Sequence, residues 1–210
     1  MKFVVEQDDR EKRAIPFPKF FRVNGKLAEV VVEVARLKTA DYRSKGAPKA
    51  GGVEVKRSPG ELFDYYVGGK LGRGIGQLDR LADEYQFPVL LLEMTPLDVL
   101  TFDYAGYLRR NNSTMEAPLR AGELVMQRVS ELSMERGIPV VWCARTTGPG
   151  REHILAEYVI NLLAAAEMSA RKMKKIGKKI SRQKGASVGI LNEKGVENVE
   201  QHASDPVAKD

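Results

Sequence analysis

Cysteine and histidine are almost missing from this chain of 210 residues: Cys143 is its one thiol, and His153 and His202 are its two imidazoles. A single cysteine excludes a disulfide framework and any multi-cysteine zinc site. Two histidines exclude a histidine-rich metal centre. Long apolar runs are lacking too, since the most apolar window, residues 88–94, is far too short to cross a bilayer. The opening Met1-Lys2-Phe3-Val4-Val5-Glu6 turns acidic at once and has no apolar stretch of the kind a signal peptide needs. The expectation is a soluble, intracellular chain with no membrane partner.

What is present is a globular composition, 43% hydrophobic and 30% charged, enough to bury a real core. The length fits one domain, or one domain and a tail. The net charge of +6 is concentrated. Residues 171–184 (RKMKKIGKKISRQK) hold eight basic side chains and no acid, while 185–210 hold two lysines against five acids. The body is therefore nearly neutral. A cationic segment of this kind attracts polyanions by releasing their counterions; read as a plain charge block, it is a solvated helix end.

Hydrophobic patterning places strands at 2–7, 27–37 and 53–57, the second an edge strand because Glu29, Glu33 and Arg36 interrupt it. Pro16 and Pro18 make 14–20 a loop or extended arm, and 43–52 is a turn-rich connection. A helical region starts near Pro59 and lasts to Gln86, with the glycine-rich 68–77 a flexible interruption. Residues 88–93 and 139–144 read as strands buried on both faces, a helix spans 117–135 with Gly137 as its stop, and a long amphipathic helix spans 152–175. Gly148-Pro149-Gly150-Arg151, just before that helix, reads as a turn. The order predicts an α/β fold with a mixed central sheet flanked by helices. The composition beyond Lys184 reads as disordered.

Four stretches invite a chemical reading: Asp8-Asp9-Arg10-Glu11 after the first strand, Asp41-Tyr42, Glu54-Val55-Lys56, and Gln77. Strand side chains alternate, so Glu54 and Lys56 share a face. If the preceding turn brings Asp41 alongside, two carboxylates stand ready to hold Mg²⁺ or Mn²⁺ through hard oxygen ligands, with an ammonium beside them to orient water or meet developing charge on a phosphate. Taken one at a time these are ordinary features: a cross-strand ion pair, a turn residue and a solvated acidic loop.

In order and spacing together, Asp8-x-Arg10-Glu11, Ala40-Asp41-Tyr42, Glu54-x-Lys56, Gln77 and Pro88-Val-Leu-Leu-Leu-Glu93 resemble the nuclease domain of the XPF/Mus-type structure-specific endonucleases, within the restriction-endonuclease-like PD-(D/E)XK fold. The resemblance covers residues 3–166. It implies a metal-dependent endonuclease that hydrolyses DNA phosphodiester bonds at branched, flap or fork structures, commonly as a homodimer and in repair or recombination. On it, Asp8, Arg10, Glu11, Asp41, Glu54 and Lys56 are the candidate catalytic residues, with Asp41 and Glu54 as metal ligands. Gln77, Arg73, Lys70 and Arg57, together with Lys174, Lys175, Lys178 and Lys179 of the basic segment, are candidate DNA contacts. No nucleotide cofactor is implied.

Three positions depart from the family pattern. Ala40 stands for the glycine of GDY, a mild change where φ is negative. Val55 stands for the arginine of ERK and points away from Glu54 and Lys56. The acid four residues after the lysine falls on Gly60, with Glu61 as the nearest substitute. The resulting organisation is a nuclease domain over 1–170, a basic helical extension over 171–184 and a disordered tail over 185–210. The tail is too short and polar for the helix-hairpin-helix module that follows the core in many relatives. A homodimer is expected, with Ile154, Leu155, Val159, Leu162 and Leu163 of the last helix at its interface. The competing readings are a catalytically silent DNA-binding or dimerisation partner of the same fold and, more distantly, a nucleotide-binding regulator that uses Gly72, Gly74 and Gly76.

Overall fold

The computed structural model describes residues 1–11, 15–144 and 153–192, with side chains as far as Ser181. Strands β1 (Lys2–Asp8), β2 (Phe20–Val23), β3 (Lys26–Ala35), β4 (Tyr42–Ser44), β5 (Gly51–Lys56), β6 (Phe87–Leu92) and β7 (Val140–Trp142) form one sheet in the order β2-β3-β1-β4-β5-β6-β7. β1 and β3 run parallel, as do β5 with β6 and β6 with β7; β2, β4 and their neighbours pair antiparallel. Short β4 is therefore the hinge between two parallel halves.

Local chemistry explains the pieces. Asn24 and Gly25 both have positive φ, so the two-residue turn between β2 and β3 suits the strand twist. β2, a strand the sequence reading did not assign, takes the edge, and β3, expected at the edge, lies inside the sheet. Helix α1 (Pro59–Tyr66) starts with Pro59 in its first turn, and its Ser58 cap accepts from the Glu61 N–H at 3.2 Å. Helices α3 (Pro96–Leu100) and α4 (Tyr104–Arg110), absent from the expected order, begin at the Thr95–Asp98 capping box and at Asp103. Helix α5 (Ala121–Arg136) ends at Gly137, whose φ of 62° makes it a left-handed stop.

The glycine-rich segment departs from expectation. Helix α2 (Leu71–Glu84) contains Gly72, Gly74 and Gly76, and the break between helices lies at 67–70. Gly74 is buried where α2 crosses α1, and a Cβ there would collide with the Tyr65 carbonyl oxygen. Its glycine allows a close helix crossing.

Two cores sandwich the sheet. Val53, Val55, Val89 and Leu91 meet Leu155, Val159 and Leu163 of α6 (Ile154–Asn192) on one face. Leu90 and Leu92 meet Leu62, Phe63, Leu78 and Val125 of α1, α2 and α5 on the other. Ile154 and Leu162 pack partly buried against the first core. The five residues expected at a dimer interface thus cover the sheet, because its apolar face needs a helix more than a partner does. Cys143 is buried in the same core, and burial pushes its thiol up. Met1–Ala170 form one compact unit and Arg171–Asp210 a second. Helix α6 runs to Asn192, past Gly185; the remainder of the tail expected to be disordered, and the turn expected at 148–151, lie outside the described residues. No helix is long and apolar enough to cross a membrane among the described residues.

Two glycines of α2 should respond oppositely to alanine. Gly72 has nothing within 4 Å of an added Cβ, so Gly72→Ala should stabilise by about 0.5–1 kcal/mol through helix propensity. Gly74→Ala should destabilise by about 1–3 kcal/mol through overpacking. Thermal denaturation of both variants checks this; equal shifts would refute the close-crossing account.

Candidate active site

The carboxyl ends of β1 and β5 meet at Asp41. The Asp8 N–H donates to the Asp41 carbonyl at 2.8 Å, and the Asp41 N–H donates to the Val53 carbonyl at 3.0 Å. The Asp41 side chain in turn accepts from the Val55 N–H through Oδ2 at 2.8 Å. Ala40, just before, has φ 69° and is buried. The substitution of alanine for glycine is therefore not mild: it holds a left-handed conformation at a cost of about 1–2 kcal/mol. That turn aims Asp41 at β5.

Odd positions of β5 face α6, so Val55 lies in the first core, and Glu54 and Lys56 face α1 and α2. Both are almost fully buried, at 1% and 3% exposure. Lys56 Nζ donates to Glu54 Oε1 at 2.6 Å and to Gln77 Oε1 at 3.4 Å, and it lies 3.5 Å from Glu61 Oε1. It also sits 4.4 Å above the Tyr65 ring, a cation–π contact. Gln77 Nε2 donates to the same Glu54 oxygen at 2.6 Å. The other oxygen, Oε2, is buried with no hydrogen-bond partner. Glu61 is tied down by the Arg57 N–H at 3.1 Å, while Gly60 lies under the Tyr107 ring, where any side chain would clash. An acid cannot stand at 60, and Glu61 reaches the lysine instead.

Around this pair the chain forms a cleft of about 260 Å³, which Asp8, Arg10, Glu11, Asp41, Glu54, Lys56, Glu61 and Gln77 all line. The sequence motifs thus converge on one place. Burial, and then the Glu54 charge, push the Asp41 carboxyl well above the usual range. Burial, the largest single influence, disfavours the Lys56 ammonium, but Glu54, Tyr66, Glu61 and Asp41 together outweigh it and raise the lysine. Burial likewise opposes the Asp8 carboxylate, but the two-pronged Arg10 contact holds it below its ordinary value.

Several expected residues fall elsewhere. Arg57 is held 3.4 Å from Glu11 and 3.9 Å from Glu93, with little exposure, so it braces carboxylates rather than offering a free cation to DNA. Lys70 pairs with Asp64 at 3.0 Å beside the Tyr65 ring. Arg73 is exposed on α2 outside the cleft lining. Lys174, Lys175, Lys178 and Lys179 are exposed in the second unit. Sequence reasoning missed Lys38, Thr39 and Arg80, which also line the cleft with Tyr65. Arg80 had a signal: it is one helical turn beyond Gln77.

Among the described residues no three His, Cys, Asp or Glu side chains form a ready metal cage. Asp41 and Glu54 nonetheless fit a divalent cation of the Mg²⁺ type, which uses one or two carboxylates and fills its other positions with water and phosphate oxygens. The orphaned Glu54 Oε2 is the observation behind that fit. Without a cation, two mutually repelling carboxylates remain. A raised Asp41 binds its proton more tightly in the folded than in the unfolded chain, so metal-free stability should fall as pH rises above about 3.9. Asp41→Asn should flatten that fall and raise the melting temperature at pH 7–8 in EDTA. Parallel pH profiles for the two proteins would contradict the mutual repulsion.

No protein-family model matches the chain, and no curated protein does. Among solved structures it is similar to XPF from Aeropyrum pernix, with 19% identity and a TM-score of 0.50 over 83% of this chain and 69% of that one. A structure of XPF from Aeropyrum pernix in complex with DNA is also similar, at 18% identity and a TM-score of 0.44, over 85% of this chain and 66% of that one. Its mixed seven-stranded sheet between two helical layers is consistent with that likeness, and the chain has the XPF-type nuclease fold.

Proposed function

We propose that the protein is a divalent-metal-dependent endonuclease that hydrolyses DNA phosphodiester bonds, acting at branched, flap or fork structures. The observation that carries the reading is the convergence of Asp41, Glu54 and Lys56 on one cleft wall, with Glu54 Oε2 buried and unpaired. The branched-substrate part rests on the motif resemblance alone.

When bound, Mg²⁺ or Mn²⁺ would polarise a phosphoryl oxygen and lower the pKa of a coordinated water. Asp41 and Glu54 would hold it. Asp41 is fixed by the Val55 N–H and Glu54 by Gln77 and Lys56, so neither needs to reorganise on binding. Lys56, between two carboxylates and a tyrosine ring, stays an ammonium. Its role is to meet negative charge as it grows on the phosphate, not to take a proton. Gln77 divides its amide between Glu54 and Lys56 and sets the orientation of both. Arg10 keeps Asp8 ionised at the cleft wall.

Labelled duplex, flap, fork and four-way junction DNA, incubated with and without Mg²⁺ or Mn²⁺, tests the reading. Metal-dependent cleavage is expected, lost more than about 100-fold in Asp41→Asn and Glu54→Gln because several kcal/mol of charge stabilisation goes with the metal. Lys56→Ala should lower turnover while metal still binds in titration. Equal cleavage by wild type and the carboxylate variants would remove the site.

The cationic helix 171–184 is proposed as a second, sequence-independent contact to the DNA backbone. Truncation after Ala170 should weaken binding to all DNA forms alike and flatten the dependence of log K on log salt by about 0.9 per lost phosphate contact. An unchanged slope would make the segment a solubilising extension.

A further inference from the structure

Most cations near the cleft are already engaged. Arg10 is committed to Asp8 and to the Leu37 carbonyl, Lys56 to Glu54 and Glu61, Arg57 to Glu11, and Lys70 to Asp64. Two others that line the cleft differ. Lys38 and Arg80 are exposed, and neither makes a hydrogen bond or an ion pair with another described residue.

Their positions carry the argument. Lys38 lies three residues before Asp41, on the segment that the left-handed Ala40 turns toward β5. Arg80 lies three residues after Gln77, on the same face of α2. Each unengaged cation is thus one step outward from a residue that touches or belongs to the carboxylate pair, and the two come from different elements. The inner wall is acidic, with Asp41, Glu54 and Glu61 on it, and would repel an approaching polyanion. Phosphates next to the reacting one need cations that are not already spent on those carboxylates.

We infer that Lys38 and Arg80 form a two-armed phosphate clamp that holds the DNA backbone beside the phosphate to be cleaved. This rests on the nuclease reading above and adds to it the residues that bind the neighbouring phosphates. Arg80 offers a forked guanidinium that can take two oxygens of one phosphate; Lys38 supplies a point charge. Neither arm touches the reacting atoms.

The test uses the full chain, a fluorescent fork and a fluorescent duplex, with anisotropy measured in EDTA at three salt concentrations. Lys38→Ala and Arg80→Ala should each weaken binding and flatten the slope of log K against log salt by about 0.9, and the double variant by about 1.8. Arg80→Lys should keep the wild-type slope yet bind more weakly than wild type, because the bidentate contact is lost. Lys26→Ala, an equal charge change at the start of β3, should leave affinity and slope as they are. Melting temperatures confirm that all variants fold. A wild-type slope in the double variant, or an equal fall in Lys26→Ala, overturns the clamp. Cleavage in Mg²⁺ is read separately on the same proteins. A wild type that binds with the full slope but never cleaves would overturn the nuclease reading and leave the clamp standing. A wild type that cleaves beside an unaltered double-variant slope would do the reverse.

Discussion

The buried pair of Glu54 and Lys56 is the constraint around which the fold is arranged. Both are buried on the interior strand β5, where a charge without a partner costs several kcal/mol. Removing one member of such a pair typically costs about 3–5 kcal/mol, while apolar replacement of both is often neutral or better. Stability alone therefore does not account for charges at this place. The surroundings compensate them only in part: Gln77, Glu61 and the Tyr65 ring complete the lysine, whereas Glu54 keeps one oxygen unsatisfied. A fully compensated pair would be inert. The missing bond leaves an oxygen that, on the reading proposed above, a metal ion would take.

The topology serves that pair. β1 and β5 belong to different parallel halves of the sheet, and three-residue β4 runs antiparallel between them. Asp41, at the entry to β4, closes the gap with backbone bonds to Asp8 on one side and Val53 on the other. A strained alanine is tolerated there because the packing around it overdetermines the backbone. On the helical side the same economy holds. Gly74 lets α2 press against α1, and that crossing sets Gln77 within 2.6 Å of Glu54. A glycine that looked like a loop residue is a packing residue whose effect is felt one turn away.

Much of this was legible in the sequence, for identifiable reasons. The alternation along 53–56 placed Glu54 and Lys56 on one face, and the apolar run of β6 placed that strand in the interior. The Asn24-Gly25 dipeptide between alternating residues is a strong local hairpin signal, but the prolines at 16 and 18 dominated the reading of the segment before it, and β2 went unseen. Thr95-Pro96-x-Asp98 is a helix-start pattern for α3; a five-residue helix carries too few turns to show a period. Gly72, Gly74 and Gly76 read as a breaker because propensity is local, while the contact of Gly74 with Tyr65 is tertiary. The partners of Arg57 and the isolation of Lys38 and Arg80 are long-range facts. A sequence shows which residues carry charge but not which charges are already neutralised by others.

That distinction decides how an acidic cleft can accept an acidic substrate. A wall that is to hold a cation through carboxylates, as proposed above, cannot also present free positive charge, because a cation within reach is drawn into a pair, as Lys56 and Arg57 are. Attraction for a polyanion has to come from farther out, beyond ion-pairing distance but within a Debye length of about 8–10 Å. Side chains one turn or one short loop from the ligands meet both conditions. Lys38 and Arg80, which line the cleft and have no hydrogen-bond or ion-pair partner among the described residues, occupy such positions. On the reading proposed above, carboxylates inside the cleft and the cations Lys38 and Arg80 on its lining would let one cleft hold both a metal ion and a phosphate backbone.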